Sequence, residues 1–174
     1  MAKTALMIDI ETIDILPTAT ILTIGAQGFD KFSDRFTDVT YYERITLESQ
    51  EDRTIDEGTL QWWSGQTQEA QEEAFGENGR LDLKPALEKL GKLIWKADEI
   101  WANGTTFDMT ILEHAYRQCG INLPWKYYKV CDARTVYKLV PQLPKLGNNH
   151  NALADCVNQI DLLQQAYKIL KLQP

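Results

Sequence analysis

Apolar and polar residues follow two different rhythms along this chain. Ala5-Leu6-Met7-Ile8 is an unbroken apolar run, as expected of a strand covered on both faces. Thr20-Ile21-Leu22-Thr23-Ile24-Gly25-Ala26 reads as a second strand. Phe32 to Leu47, with Tyr41, Tyr42, Ile45 and Leu47, reads as a bent third. Together they predict an antiparallel meander that opens the fold. The rhythm then becomes helical. Asp56 is placed to cap a helix from Glu57 to Trp63, and Gln66 to Phe75 follows. Gly76-Glu77-Asn78-Gly79 is a loop, and Pro85 stands in the first turn of a helix reaching about Lys96. Glu99-Ile100-Trp101-Ala102 is a short strand that Asn103-Gly104 breaks. Thr105 or Thr106 caps a helix from Phe107 to Cys119, and Gly120 ends it. Tyr127 to Cys131 is another strand, and Asp132 or Ala133 to Val140 a short helix stopped by Pro141. Leu146 to His150 is a loop, after which Asn151 caps a final helix to about Leu172. A strand meander followed by alternating helices and strands predicts an α/β fold with a mixed sheet flanked by helices. The length, 174 residues, fits one domain spanning 1–174.

Composition narrows the class. No apolar stretch reaches the roughly 18 residues of a membrane span, and Asp9 and Glu11 interrupt the N-terminal apolar run too early for a signal peptide. Cys119, Cys131 and Cys156 form no close pair, so plain thiols in a reducing cytoplasm are expected. The net charge of −7 is unevenly spread. Residues 1–120 hold 11 Lys+Arg against 22 Asp+Glu, and residues 121–174 hold 7 against 3. Lys126, Lys129, Arg134, Lys138 and Lys145 fall in one stretch, either a local basic rim for phosphates or a solvated face.

Four acids change the picture most. Carboxylates are costly to bury unless they are paired or bind cations, yet Asp9, Glu11, Asp108 and Asp155 each stand at an edge of apparent core. Asp9 and Glu11 are two apart on a predicted strand, hence on one face and roughly 6.6 Å apart. Asp108 opens a helix whose apolar stripe is Ile111, Leu112, Ala115 and Cys119. On its own it would be an ordinary first-turn acid favoured by the helix dipole. Asp155 lies across its helix from the stripe Leu153, Cys156, Val157, Ile160 and Leu163, and in line with Leu162, Ala166 and Ile169. His150, five residues before Asp155, is free of that helix, and a histidine titrates in the range that suits a general base. His114 falls mid-helix and reads as structural.

Asp9-x-Glu11-Thr12, Asn103-x3-Phe107-Asp108 and His150-x4-Asp155, in that order, resemble the DEDDh branch of the DnaQ-like, or RNase H-like, 3′–5′ exonucleases. Glu57 to Gln66, with Trp62-Trp63, and Asp132-Ala133-Arg134-Thr135 resemble segments of a small phage and bacterial DexA-like subgroup of exonucleases and exoribonucleases. The resemblance implies a five-stranded mixed sheet of RNase H type. It implies that Asp9, Glu11, Asp108 and Asp155 bind two Mg²⁺ or Mn²⁺ ions, and that His150 activates the attacking water. It further implies release of nucleoside 5′-monophosphates, with Thr12 helping to seat the 3′-terminal nucleotide. Trp62 and Phe107 are candidates for stacking on bases, with one of the Trp62-Trp63 pair expected in the core. The partners so implied are single-stranded RNA or DNA 3′ ends, with a homodimer in keeping with relatives that pair. Two other readings are a non-catalytic nucleic-acid- or partner-binding module on the same fold and an endonuclease of RNase H type.

Overall fold

Odd and even residues of the first strand, β1 (Ala5–Thr12), go to opposite faces of the sheet, as the pleat requires. Leu6, Ile8 and Ile10 enter one apolar cluster, and Ala5 and Met7 enter another. The computed structural model describes residues 4–145 and 150–173. In it β1 pairs antiparallel with β2 (Ile21–Phe29), and β2 pairs antiparallel with β3 (Phe36–Ile45). The meander is therefore present, although β3 is shorter than the run Phe32 to Leu47 that patterning predicts.

Among the described residues the sheet has six strands in the order β4-β3-β2-β1-β5-β6. The strand beyond the expected five is β4, only Arg80–Leu81, which pairs parallel with β3 at Arg44 and Ile45. Two residues carry too little period to be seen in a sequence. The far side is built by β5 (Glu99–Ala102), parallel to β1, and β6 (Val130–Asp132), parallel to β5. Tyr127–Lys129, expected in a strand, form a 3₁₀ turn that leads into β6.

Among the described residues, six helices cover the sheet. They are α1 (Glu57–Ser64), α2 (Gln68–Phe75), α3 (Leu83–Lys96), α4 (Asp108–Gln118), α5 (Ala133–Lys138) and α6 (Ala152–Ile169). On one face α3 brings Leu87, Leu90 and Ile94, and α4 brings Ile111, Leu112 and Tyr116, against Leu6, Ile8 and Ile10. On the other, α6 brings Cys156, Ile160 and Leu163 against Ala5, Met7 and Trp101. Two caps form as their local chemistry predicts. Asp56 Oδ2 accepts from the Thr59 N–H at 2.7 Å, and Asn151 Oδ1 accepts from the Ala154 N–H at 2.9 Å. The threonine cap expected for α4 does not form. Phe107 occupies the N-cap, and Thr105 instead donates its N–H to Asp132 Oδ2 at 2.9 Å. His114 has the structural role expected of it, within reach of buried Arg53. Among the described residues, no helix is long and apolar enough to cross a membrane. The loop expected over Leu146 to Asn149 lies outside the described residues.

Candidate active site

The pleat that sends Ile8 and Ile10 into the core sends Asp9 and Glu11 to the α6 face. There α6 supplies Asp155 from its first turn, 3 % exposed. One carboxylate oxygen from each of Asp9, Glu11 and Asp155 lies within 4.8 Å of the others. Cys156, the next residue on α6, is within 3.6 Å of the Met7 carbonyl, so helix and strand touch directly beneath the acids.

Asp108 comes from α4, on the other side of the sheet, and its charge acts on Asp9. It is 4 % exposed, and its Oδ1 accepts the Ile10 N–H at 3.2 Å. Pairing between β1 and β5 ends at Met7–Trp101, so this bond takes up the β1 edge where β5 has turned away. Behind Asp108 a carboxylate latch fixes the β5–α4 turn. Asp132 Oδ2 receives Thr105, while Asp132 Oδ1 receives the Thr135 N–H at 2.8 Å and caps α5. Burial opposes the ionised form of Asp132, but the donors on Thr105 and Thr135 hold its carboxyl below the usual range.

The electrostatics of the cluster run the other way. Burial, with Asp108 and Glu11 nearby, pushes Asp9 well above the usual carboxylate range. Glu11 is pushed up to about 8 by burial and by Asp155 and Asp108. Burial pushes Asp108 up to about 7, even though the Ile10 N–H favours its ionised form. Hard anionic oxygens crowded in this way repel one another, and the donor set fits divalent cations that prefer oxygen.

A cleft of about 390 Å³ opens beside Glu11. Thr12, Ile15, Trp62 and Phe107 line it. The tryptophan pair divides its labour. Trp63 is 2 % exposed, and its indole N–H donates to the Thr12 carbonyl at 2.8 Å, which ties α1 to the end of β1. Trp62 is 48 % exposed on the cleft wall. His150 packs edge-on against both rings, with centroids 4.8 Å from Trp62 and 5.7 Å from Trp63. Its φ of 51° is a left-handed conformation, uncommon outside glycine, that turns the chain into the Asn151 cap of α6. His150 also borders a second cleft with Gln66, Thr67 and Asn151. In the basic stretch Lys126, Arg134, Lys138 and Lys145 are exposed, whereas Lys129 donates to the Ala97 carbonyl at 2.8 Å.

Sequence reasoning missed two neighbours of Asp9. Gln159 Nε2 donates to Asp9 Oδ1 at 2.7 Å from one turn beyond Asp155. The four-residue spacing is the signal that would have found it. Gly25, on β2, lies directly opposite Asp9 in the β1–β2 ladder, where a β-carbon would meet the backbone of Ala152 and Leu153. Only the strand register reveals that approach.

Comparison with known proteins bears on the fold and the family. Among solved structures the chain resembles the zinc-bound form of Escherichia coli Exonuclease I in complex with single-stranded DNA, at 17% identity and a TM-score of 0.73 over 98% of this chain and 42% of that one. It resembles Exonuclease I from Methylocaldum szegediense at 12% identity and a TM-score of 0.73, over 95% of this chain and 40% of that one. Identities this low show a shared fold, and the chain spans about two fifths of the length of these structures. No curated protein sequence matches. The Rv2179c-like 3′–5′ exoribonuclease domain matches residues 4–167, nearly the whole chain. The chain belongs to that family.

Proposed function

We propose that this chain, acting as one domain, is a divalent-cation-dependent 3′–5′ exonuclease. It removes nucleoside 5′-monophosphates from single-stranded ends or 3′ overhangs of RNA or DNA. The observation that carries this reading is the convergence of Asp9, Glu11 and Asp155 from two elements, with Asp108 coupled to them electrostatically. The match to an exoribonuclease domain favours RNA. The Exonuclease I complex with single-stranded DNA favours an unpaired strand.

Asp9, Glu11, Asp108 and Asp155 would hold two Mg²⁺ or Mn²⁺ ions. Such ions, when bound, offset phosphate charge and stabilise both the attacking and the leaving oxygen of an in-line displacement. His150 would accept the proton of the attacking water. Its ring rests on Trp62, a wall of the cleft that Glu11 also lines. Trp63 holds the Thr12 carbonyl, and so fixes the cleft floor beside Glu11. Trp62 and Phe107 offer faces on which the terminal bases stack. A net charge of −7 makes cations at the acids the main source of phosphate attraction. The free thiols of Cys119, Cys131 and Cys156 suit a reducing cytoplasm.

The test is digestion of matched RNA and DNA oligonucleotides, labelled at the 5′ end, with the shortening ladder and the released products resolved. Stepwise loss of 5′-monophosphates from the 3′ end is expected with Mg²⁺ or Mn²⁺, and none in Asp155→Ala. Internal cuts would point to an endonuclease. Binding without cleavage would point to a non-catalytic module.

A further inference from the structure

Gln159 touches the acid cluster but takes no part in the chemistry proposed above. It is 2 % exposed on α6, one helical turn past Asp155 and so on the same side of the helix. Its Nε2 donates to Asp9 Oδ1 at 2.7 Å. The Tyr137 hydroxyl, on α5, donates to the Gln159 carbonyl at 2.7 Å. The residue is therefore held at its backbone by a neighbouring helix and at its side-chain amide by the acid itself.

The other half of the amide has an opposite character. Gln159 Oε1 is buried with no hydrogen-bond partner among the described residues. An unmet buried acceptor is destabilising, and an apolar side chain of the same length would fill this space without it. The amide orientation is assigned from this contact, since against the ionised, cation-binding form of Asp9 the reverse would set Oε1 against a carboxylate oxygen. With Oδ1 anchored, the Asp9 carboxylate loses free rotation and its second oxygen is fixed in space. Groups that orient a ligating carboxylate in this way commonly surround metal sites.

We infer that Gln159 is a positioning residue that fixes the Asp9 carboxylate for cation binding. The inference rests on the reading of Asp9, Glu11 and Asp155 as a cation site. The experiment is calorimetric titration of the full chain with Mn²⁺ alone, at fixed pH and without nucleic acid. It compares wild type, Gln159→Met, Gln159→Leu and Asp155→Ala. Both Gln159 variants keep the side chain's bulk and remove its donor. They should retain the metal-free unfolding temperature and bind Mn²⁺ about tenfold more weakly or worse. Wild-type affinity in a folded Gln159 variant would overturn the inference while leaving the cation site intact. Absence of Mn²⁺ binding by wild type, or undiminished binding by Asp155→Ala, would instead overturn the cation site and the inference with it. Should neither Gln159 variant fold, the side-chain amide resonances of Gln159 are followed in wild type during Mg²⁺ titration. They should shift with the midpoint that calorimetry gives for Mg²⁺ under the same conditions, and resonances that stay fixed through saturation would overturn the inference.

Discussion

Replacing Gly25 by alanine tests whether the acid cluster is set by backbone contact between α6 and β2. Gly25 is paired with Asp9 across the β1–β2 ladder, so a β-carbon there points to the same face as the acid. That carbon would lie 2.5 Å from both the Ala152 oxygen and the Leu153 nitrogen, whereas ordinary contact begins at 3.4 Å. The neighbours are backbone of the first turn of α6 and cannot rotate away as a side-chain tip would. Helix or strand must therefore yield by about 0.9 Å, the difference between those two distances. Overpacking of this kind costs about 1–3 kcal/mol. At roughly 2–4 °C per kcal/mol for a chain of this size, the unfolding temperature should fall by about 2–12 °C. The same displacement separates Asp155 from Asp9, and a misplacement near 1 Å lowers catalysis by about a hundredfold. Differential scanning calorimetry and oligonucleotide digestion, carried out well below the melting temperature, read the two effects separately. A variant as stable and as active as wild type would refute the close approach. A destabilised variant with full activity would refute the claim that this contact places Asp155.

Three further predictions concern charge, stacking and the latch. Glu11 holds its proton up to about pH 8 in the folded chain against an ordinary value of 4.5, so between those values the folded state binds more protons than the unfolded. Glu11's contribution to metal-free stability should thus be fully present below the lower value and be lost as pH rises toward 8, a loss of at most on the order of 5 kcal/mol. Glu11→Gln should flatten a plot of unfolding temperature against pH, and a metal-free wild-type plot that is already flat would contradict this. Trp62→Ala should raise KM for short oligonucleotides by roughly five- to a hundredfold with kcat little changed, given about 1–3 kcal/mol per stacked base; an unaltered KM would assign Trp62 to packing alone. Asp132→Ala removes the α5 cap and the Thr105 tether, so about 1 kcal/mol of stability and most of the activity should be lost. Full activity in that variant would show that the β5–α4 turn holds Asp108 without the latch.

Features written in neighbouring residues were legible in the sequence. The strand carrying Asp9 and Glu11 announced itself by its apolar run, and Asp56 and Asn151 announced their helices because a cap bonds only three residues away. The division between a buried Trp63 and an exposed Trp62 follows from adjacent positions on one helix. Long-range pairing was not legible. Thr105 gave up its expected cap for Asp132, 27 residues onward. The hydrogen bond of Gln159 to Asp9 spans 150 residues, and the approach of Gly25 to Ala152 spans more than a hundred. Strand β4 escaped because two residues have no periodicity.

The split faces of β1 bind chemistry to folding. Sliding the strand by one residue against β2 would turn Asp9 and Glu11 toward Leu90 and Ile111 and push isoleucines toward the helix that bears Asp155. Such a chain would be a collapsed protein rather than a slow nuclease, because two unpaired acids cannot remain in that hydrocarbon layer. Catalytic competence in a purified sample should therefore be all or none, molecule by molecule, and specific activity becomes a direct count of correctly registered chains.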